Sequence, residues 1–140
     1  MLLVESAKES ALNKRLKRWL PLFVWVFLIF AFSSIPQLSG NDVPIPEGFD
    51  KVAHFIEYAV LAVFFYRGLS YDSEKNKWFI CIFIVVFGSG IAALDEFYQS
   101  YIPGRFSSSM DLLADIAGVG VGALLAVARH IRADKKVEHI

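Results

Sequence analysis

The chain of 140 residues has a single cysteine, Cys81, so it can form no intramolecular disulfide and its cysteine content carries no information about redox compartment. It lacks internal repeats and low-complexity segments. It has no glycine loop of the kind that cradles nucleotide phosphates and no nucleophile elbow. No His-Glu-x-x-His or paired-cysteine spacing presents a ready metal centre. Net charge is absent too, because 14 Lys and Arg balance 14 Asp and Glu.

Apolar side chains are abundant. A hydrophobic fraction of 56% and a mean hydropathy of +0.49 lie well above the soluble range, and the length allows one domain. A helix crosses the hydrocarbon core with about 17–25 mostly apolar residues. Two runs, Trp19 to Ile35 and Trp78 to Leu94, contain no charged residue, and each opens on a tryptophan suited to the interface. Two others carry ionisable groups: Lys51 to Tyr66 holds His54 and Glu57, and Asp111 to Ala128 holds both Asp111 and Asp115. The expected fold is an all-α integral membrane four-helix bundle with spans near 19–35, 51–66, 78–94 and 111–128. Residues 1–18 then form a basic N-terminal segment, 19–130 the membrane domain and 131–140 a tail.

Twelve of the 14 basic residues fall in the N-terminal segment, the middle connection and the C-terminal tail. Positive loops stay cytoplasmic, so an N-in, C-in topology with both termini cytoplasmic is expected. These clusters flank hydrophobic spans, which makes them topology signals and anionic-lipid contacts, and no nucleic-acid partner is expected. The stretch after the first run, SSIPQLSG, has no clear small-x-small cleavage site, and removing residues 1–35 would leave an odd number of spans. An uncleaved first helix is therefore expected. Pro, Gly, Asn and Asp in residues 36–50 predict an irregular outer loop.

Lys51 and Arg105 are the two basic residues left on the outer side, and the carboxylates near membrane depth gather with them. Asp50, Lys51, His54, Glu57 and Tyr58 open the second helix. Asp95, Glu96 and Gln99 close the third, while Arg105, Ser107 to Ser109, Asp111 and Asp115 lead into the fourth. Helical spacing places His54, Tyr58 and Leu61 on one face. Gly88, Ala92, Asp95 and Gln99 form a stripe that is small at depth and polar near the surface, and Asp111, Asp115, Gly118 and Gly122 repeat it. Gly118 and Gly122 make a GxxxG that lets a neighbouring helix approach closely, so the acids above it are expected to line a shared pocket.

Plainer roles stand beside these. Asp50 suits a helix start, and Ser108 with Asp111 has capping-box spacing. Tyr58 could be an interfacial aromatic, His54 an interhelical hydrogen-bonder and Glu57 one half of a lock with Lys51 or Arg105. Pro103 and Gly104 should make a turn that presents Arg105. Asp95 and Glu96, about 100° apart on one helix, cannot share a single contact. Intramembrane acids are functional candidates by default, and with His54 these two are the candidate catalytic residues.

The segments SSIP, DKVAHFIEYAVL and DEFYQSYIPGRFSSSMDLLADIAGVGVG resemble the VanZ-like family, small membrane proteins named after a glycopeptide-resistance accessory protein associated with teicoplanin resistance. The likeness covers residues 33–126, and its Asp-Glu-x-x-Gln, Pro-Gly-Arg and Asp-Leu-Leu-Ala elements fall here on Asp95, Glu96, Gln99, Pro103, Gly104, Arg105 and Asp111, with Asp50, Lys51, His54 and Tyr58 upstream. The resemblance implies a cell-envelope membrane protein and supplies no established reaction.

Six acids against two bases leave room for a cation at this end. Oxygen-rich surroundings suit Mg²⁺ or Ca²⁺, and His54 with Asp95, Glu96 or Asp111 could hold Zn²⁺. Arg105, the serines that follow it and the start of the fourth helix suit a phosphate. Lys51, Glu57, Tyr58, Gln99, Ser107 and Asp111 complete the candidate binding set with Arg105. One expectation is a protein that binds or modifies an amphiphilic envelope component, a membrane lipid or lipid-linked cell-wall precursor, with a link to teicoplanin resistance. The other is a non-catalytic protein that sequesters or excludes lipophilic glycopeptides or supports a partner complex, its polar cluster a structural lock.

Overall fold

The computed structural model describes residues 2–36, 48–70, 76–105 and 107–137, with side chains from Leu12 to Lys135 within those ranges. Most of the expected outer loop, residues 37–47, lies outside the described residues. The chain forms four helices, α1 (Leu2–Ser33), α2 (Phe49–Ser70), α3 (Lys77–Gln99) and α4 (Ser109–Val137). Each is long and apolar enough to cross a membrane, over Leu12–Ser33, Phe49–Ser70, Lys77–Gln99 and Ser109–Lys135. This is a multi-pass membrane protein. The basic segment before Trp19 is continuous with the first span rather than a separate helix.

The helix ends follow local chemistry. Asn76 caps α3, its side chain accepting the Trp78 N–H at 2.9 Å. Gly48, with φ 83°, precedes α2 in a backbone conformation that glycine adopts without steric cost. Between α3 and α4 the Arg105 N–H donates to the Ile102 carbonyl at 3.1 Å across Pro103 and Gly104, and Gly104 has φ 79°. Proline followed by a positive-φ glycine is the signature of a type II turn.

Lipid does not drive helices together as water does, so close backbone approach has to do more of the work. A Cβ on Gly118 would run into the Phe55 carbonyl, and one on Gly122 into the Ala59 carbonyl, so α4 lies directly against the backbone of α2. Gly88 makes room for Val119, and Gly68 for the ring of Trp19. Around these seams Ile29, Tyr58, Leu61, Ile84, Ala92, Val119, Ala123 and Val127 are buried. α1 leans on α2 and α3, and among the described residues it does not reach α4. Phe23, Phe27, Ile82, Val86, Leu124 and Leu125 point outward, an apolar coat suited to acyl chains.

Candidate functional site

The C-terminal ends of α1 and α3 and the N-terminal ends of α2 and α4 meet at one end of the bundle. There the chain brings together nearly every polar residue singled out above. Asp95, Glu96, Gln99 and Asp115 are buried, Asp115 completely. Both members of the Asp95–Glu96 pair turn inward, toward different neighbours. Asp95 Oδ2 accepts from Gln99 Nε2 at 3.0 Å, and Gln99 reaches on to Ser33 Oγ of α1 at 3.2 Å. Glu96 Oε2 accepts the backbone N–H of Ser108 at 2.8 Å.

That contact changes the expected capping box. Ser108 Oγ faces the Asp111 N–H at 3.4 Å, the forward half of the motif. The reciprocal half, an acid accepting the cap residue's own N–H, comes from Glu96 on α3 rather than from Asp111. Asp111 is thereby free to take Lys51 Nζ at 2.9 Å, and the same ammonium holds Asp50 at 2.9 Å. Asp50 lies within the first turn of α2, where a negative charge complements the helix dipole.

His54 Nδ1 lies 3.0 Å from Asp115 Oδ1. Directly beneath, the Gly118 seam fixes the separation of α2 and α4 that this bond spans. Tyr58 is buried one turn below His54. Its hydroxyl lies close to the Asp95 carboxylate, and Glu96 Oε1 and Asp115 Oδ2 are buried without a hydrogen-bond partner among the described residues. Buried polar atoms are normally satisfied, so two carboxylate oxygens in one cluster without a partner among the described residues stand out.

Arg105 is committed differently from the expectation of an open head-group binder. Its Nε donates to the Ile35 carbonyl and its Nη2 to the Phe32 carbonyl, each at 3.1 Å, closing the C-terminal end of α1. Its Nη1 makes no hydrogen bond among the described residues. A cavity of about 200 Å³ is lined by Phe32, Ser33, Asp50, Ala53, His54, Glu57 and Arg105. Glu57 is half-buried in its wall, within electrostatic range of His54, Asp95, Asp115 and Arg105. Ser107 is exposed and makes no side-chain hydrogen bond among the described residues.

Residues that sequence reasoning passed over complete the end. Trp25 Nε1 donates to the Glu57 carbonyl at 2.9 Å, and Ser34 shares a 2.9 Å hydrogen bond with Tyr98. Ser33 is buried. Their signal was faint, since each sits in an apolar run where a tryptophan or serine passes as an interfacial residue. At the opposite end Lys77 pairs with Asp134, and Tyr66 bonds His130 at 2.9 Å.

An uncharacterized protein of Schizosaccharomyces pombe is 26% identical over 121 residues, which cover 86% of this chain and 70% of that protein. No solved structure matches the chain. The VanZ/LLP1 family matches residues 3–130, the stretch that holds three spans, most of the fourth and the whole polar end, and the chain belongs to that family.

Proposed function

We propose that this VanZ-family protein is a cell-envelope membrane protein whose polar end faces outward and receives the head group of an amphiphile, a phospholipid or a lipid-linked cell-wall precursor. The observation that carries this reading is the cavity beside Arg105. It combines a guanidinium nitrogen with no partner among the described residues, an imidazole and two carboxylates with the apolar Phe32. A phosphate would sit against Arg105 Nη1 while its acyl or prenyl chains lie along the exposed apolar faces. The Lys and Arg bias toward the opposite end supports an N-in, C-in orientation. Lipids are common to all membranes, including those of the yeast that holds the relative, so a lipid is a better fit than an antibiotic. A link to teicoplanin resistance would then be indirect, through envelope lipids.

A second reading, the helix lock, draws on the two carbonyls that Arg105 ties down. Native mass spectrometry of the purified protein in mild detergent separates the two. Wild type should carry a phospholipid or polyprenyl phosphate that is lost in Arg105→Ala. A folded wild type with no specific lipid would leave the lock as the better account.

A further inference from the structure

We propose that His54, Glu96 and Asp111 form a binding site for one divalent transition-metal ion, Zn²⁺ or Mn²⁺ in character, that joins α2, α3 and α4 at the polar end. One ligand atom from each residue lies within 4.8 Å of the other two. Ligands of a tetrahedral ion stand about 3.3–3.5 Å apart, so the three would close in on the ion by side-chain rotation as it binds.

Among the described residues, the hydrogen bonds around the triad leave one atom free on each residue. His54 uses Nδ1 toward Asp115, so a neutral imidazole donating there carries its lone pair on Nε2. Glu96 uses Oε2 for the Ser108 N–H, and its Oε1 is buried with no partner among the described residues. Asp111 uses Oδ1 for Lys51 and keeps Oδ2. An acid that orients a histidine through its far nitrogen is the arrangement that supports metal-ligating imidazoles generally. Here that acid is Asp115, which is wholly buried and has no other partner among the described residues.

Charge points the same way. Six carboxylates, Asp50, Glu57, Asp95, Glu96, Asp111 and Asp115, share this end with Lys51 and Arg105. Arg105 gives its described hydrogen bonds to backbone carbonyls, and among the described residues no basic side chain pairs with Asp95 or Glu96. One imidazole with two carboxylates is a mixed nitrogen and oxygen set, which favours Zn²⁺ or Mn²⁺ over Ca²⁺ or Mg²⁺. Three protein ligands would leave coordination positions open toward the cavity that His54 lines.

This site adjoins the head-group pocket proposed above but does not depend on it. The test uses full-length protein in detergent, stripped with a chelator and desalted, then titrated with Zn²⁺ and with Mn²⁺ by calorimetry and analysed for bound metal. Wild type should retain one ion per chain. Glu96→Gln and His54→Gln should lose it, and Asp115→Asn should bind about 10–100-fold more weakly. Asp134→Asn, at the other end of the bundle, should bind as wild type does. Absence of stoichiometric metal in folded wild type, or unchanged affinity in both ligand variants, overturns the proposal. Should those variants fail to fold, X-ray absorption on Co²⁺-loaded wild type decides: an imidazole in the coordination shell upholds the site, and a shell of oxygen alone overturns it. Metal retained without lipid would uphold this inference and sink the head-group reading, and lipid retained without metal would do the reverse.

Discussion

Glu96 on α3 caps α4, accepting the Ser108 N–H at 2.8 Å and joining two consecutive helices across the Pro103–Gly104 turn. The bond needs an acceptor at that position, not a charge. Glu96→Gln should therefore unfold within about 0.5 kcal/mol of wild type, and Glu96→Ala should lose about 0.5–2 kcal/mol as N-cap deletions do. Reversible denaturation in mixed micelles measures both. Equal losses in the two variants would mean that the capping geometry is not what Glu96 contributes.

The α2–α4 seam offers a paired test along one helix. Gly118→Ala places a methyl group against the Phe55 carbonyl and should cost about 1–3 kcal/mol, because backbone cannot swing aside as a flexible side chain can. Gly120→Ala meets nothing within 4 Å and should be neutral or stabilise by up to about 1 kcal/mol. Thermal unfolding followed by circular dichroism compares them. Similar midpoints for the two variants would contradict the close approach at Gly118.

Arg105→Lys removes the fork that holds two carbonyls while keeping the positive charge. An ammonium cannot reproduce both bonds to Phe32 and Ile35 in their geometry, and the loss should be about 1.5–3 kcal/mol per charged hydrogen bond forfeited. Hydrogen–deuterium exchange should rise at residues 33–35 and stay unchanged in the middle of α3. A flat exchange profile would show that the end of α1 does not rely on Arg105.

Orientation can be read with single cysteines, since native Cys81 is buried. Ser107→Cys and Arg132→Cys occupy exposed positions at opposite ends of the bundle. An impermeant maleimide added to intact cells should label the first and reach the second only after permeabilisation. The opposite pattern would place the polar end inside.

Much of this architecture was legible because membrane physics leaves a strong trace. Uncharged runs the length of a bilayer, the Gly118 and Gly122 spacing and the Pro103–Gly104 turn all follow from local rules. So does the gathering of Asp95, Glu96, His54 and Asp111 at one end, once chain direction alternates. The partners of Arg105 and the cap given by Glu96 were not legible, because both end on backbone atoms that every residue type carries. Ser33 and Trp25 were missed for a related reason: their bonds run between helices, and no periodicity within either helix encodes them. The expected assignment of Asp111 to the capping box failed in one half only, where an acid from another helix outcompeted the local one.

The dense pairing of α2 with α4 bears on how the chain is made. His54 enters the bilayer early, yet the carboxylate that receives it lies 61 residues downstream. During synthesis the second and third spans are laid down before Asp115 exists, so the ribosome delivers a hairpin whose imidazole and inward-facing acids have no finished setting. Insertion of the last span is then the step at which the earlier ones acquire their final burial, and a chain cut short before residue 111 should be held by the insertion machinery or degraded rather than accumulate as a stable three-span protein.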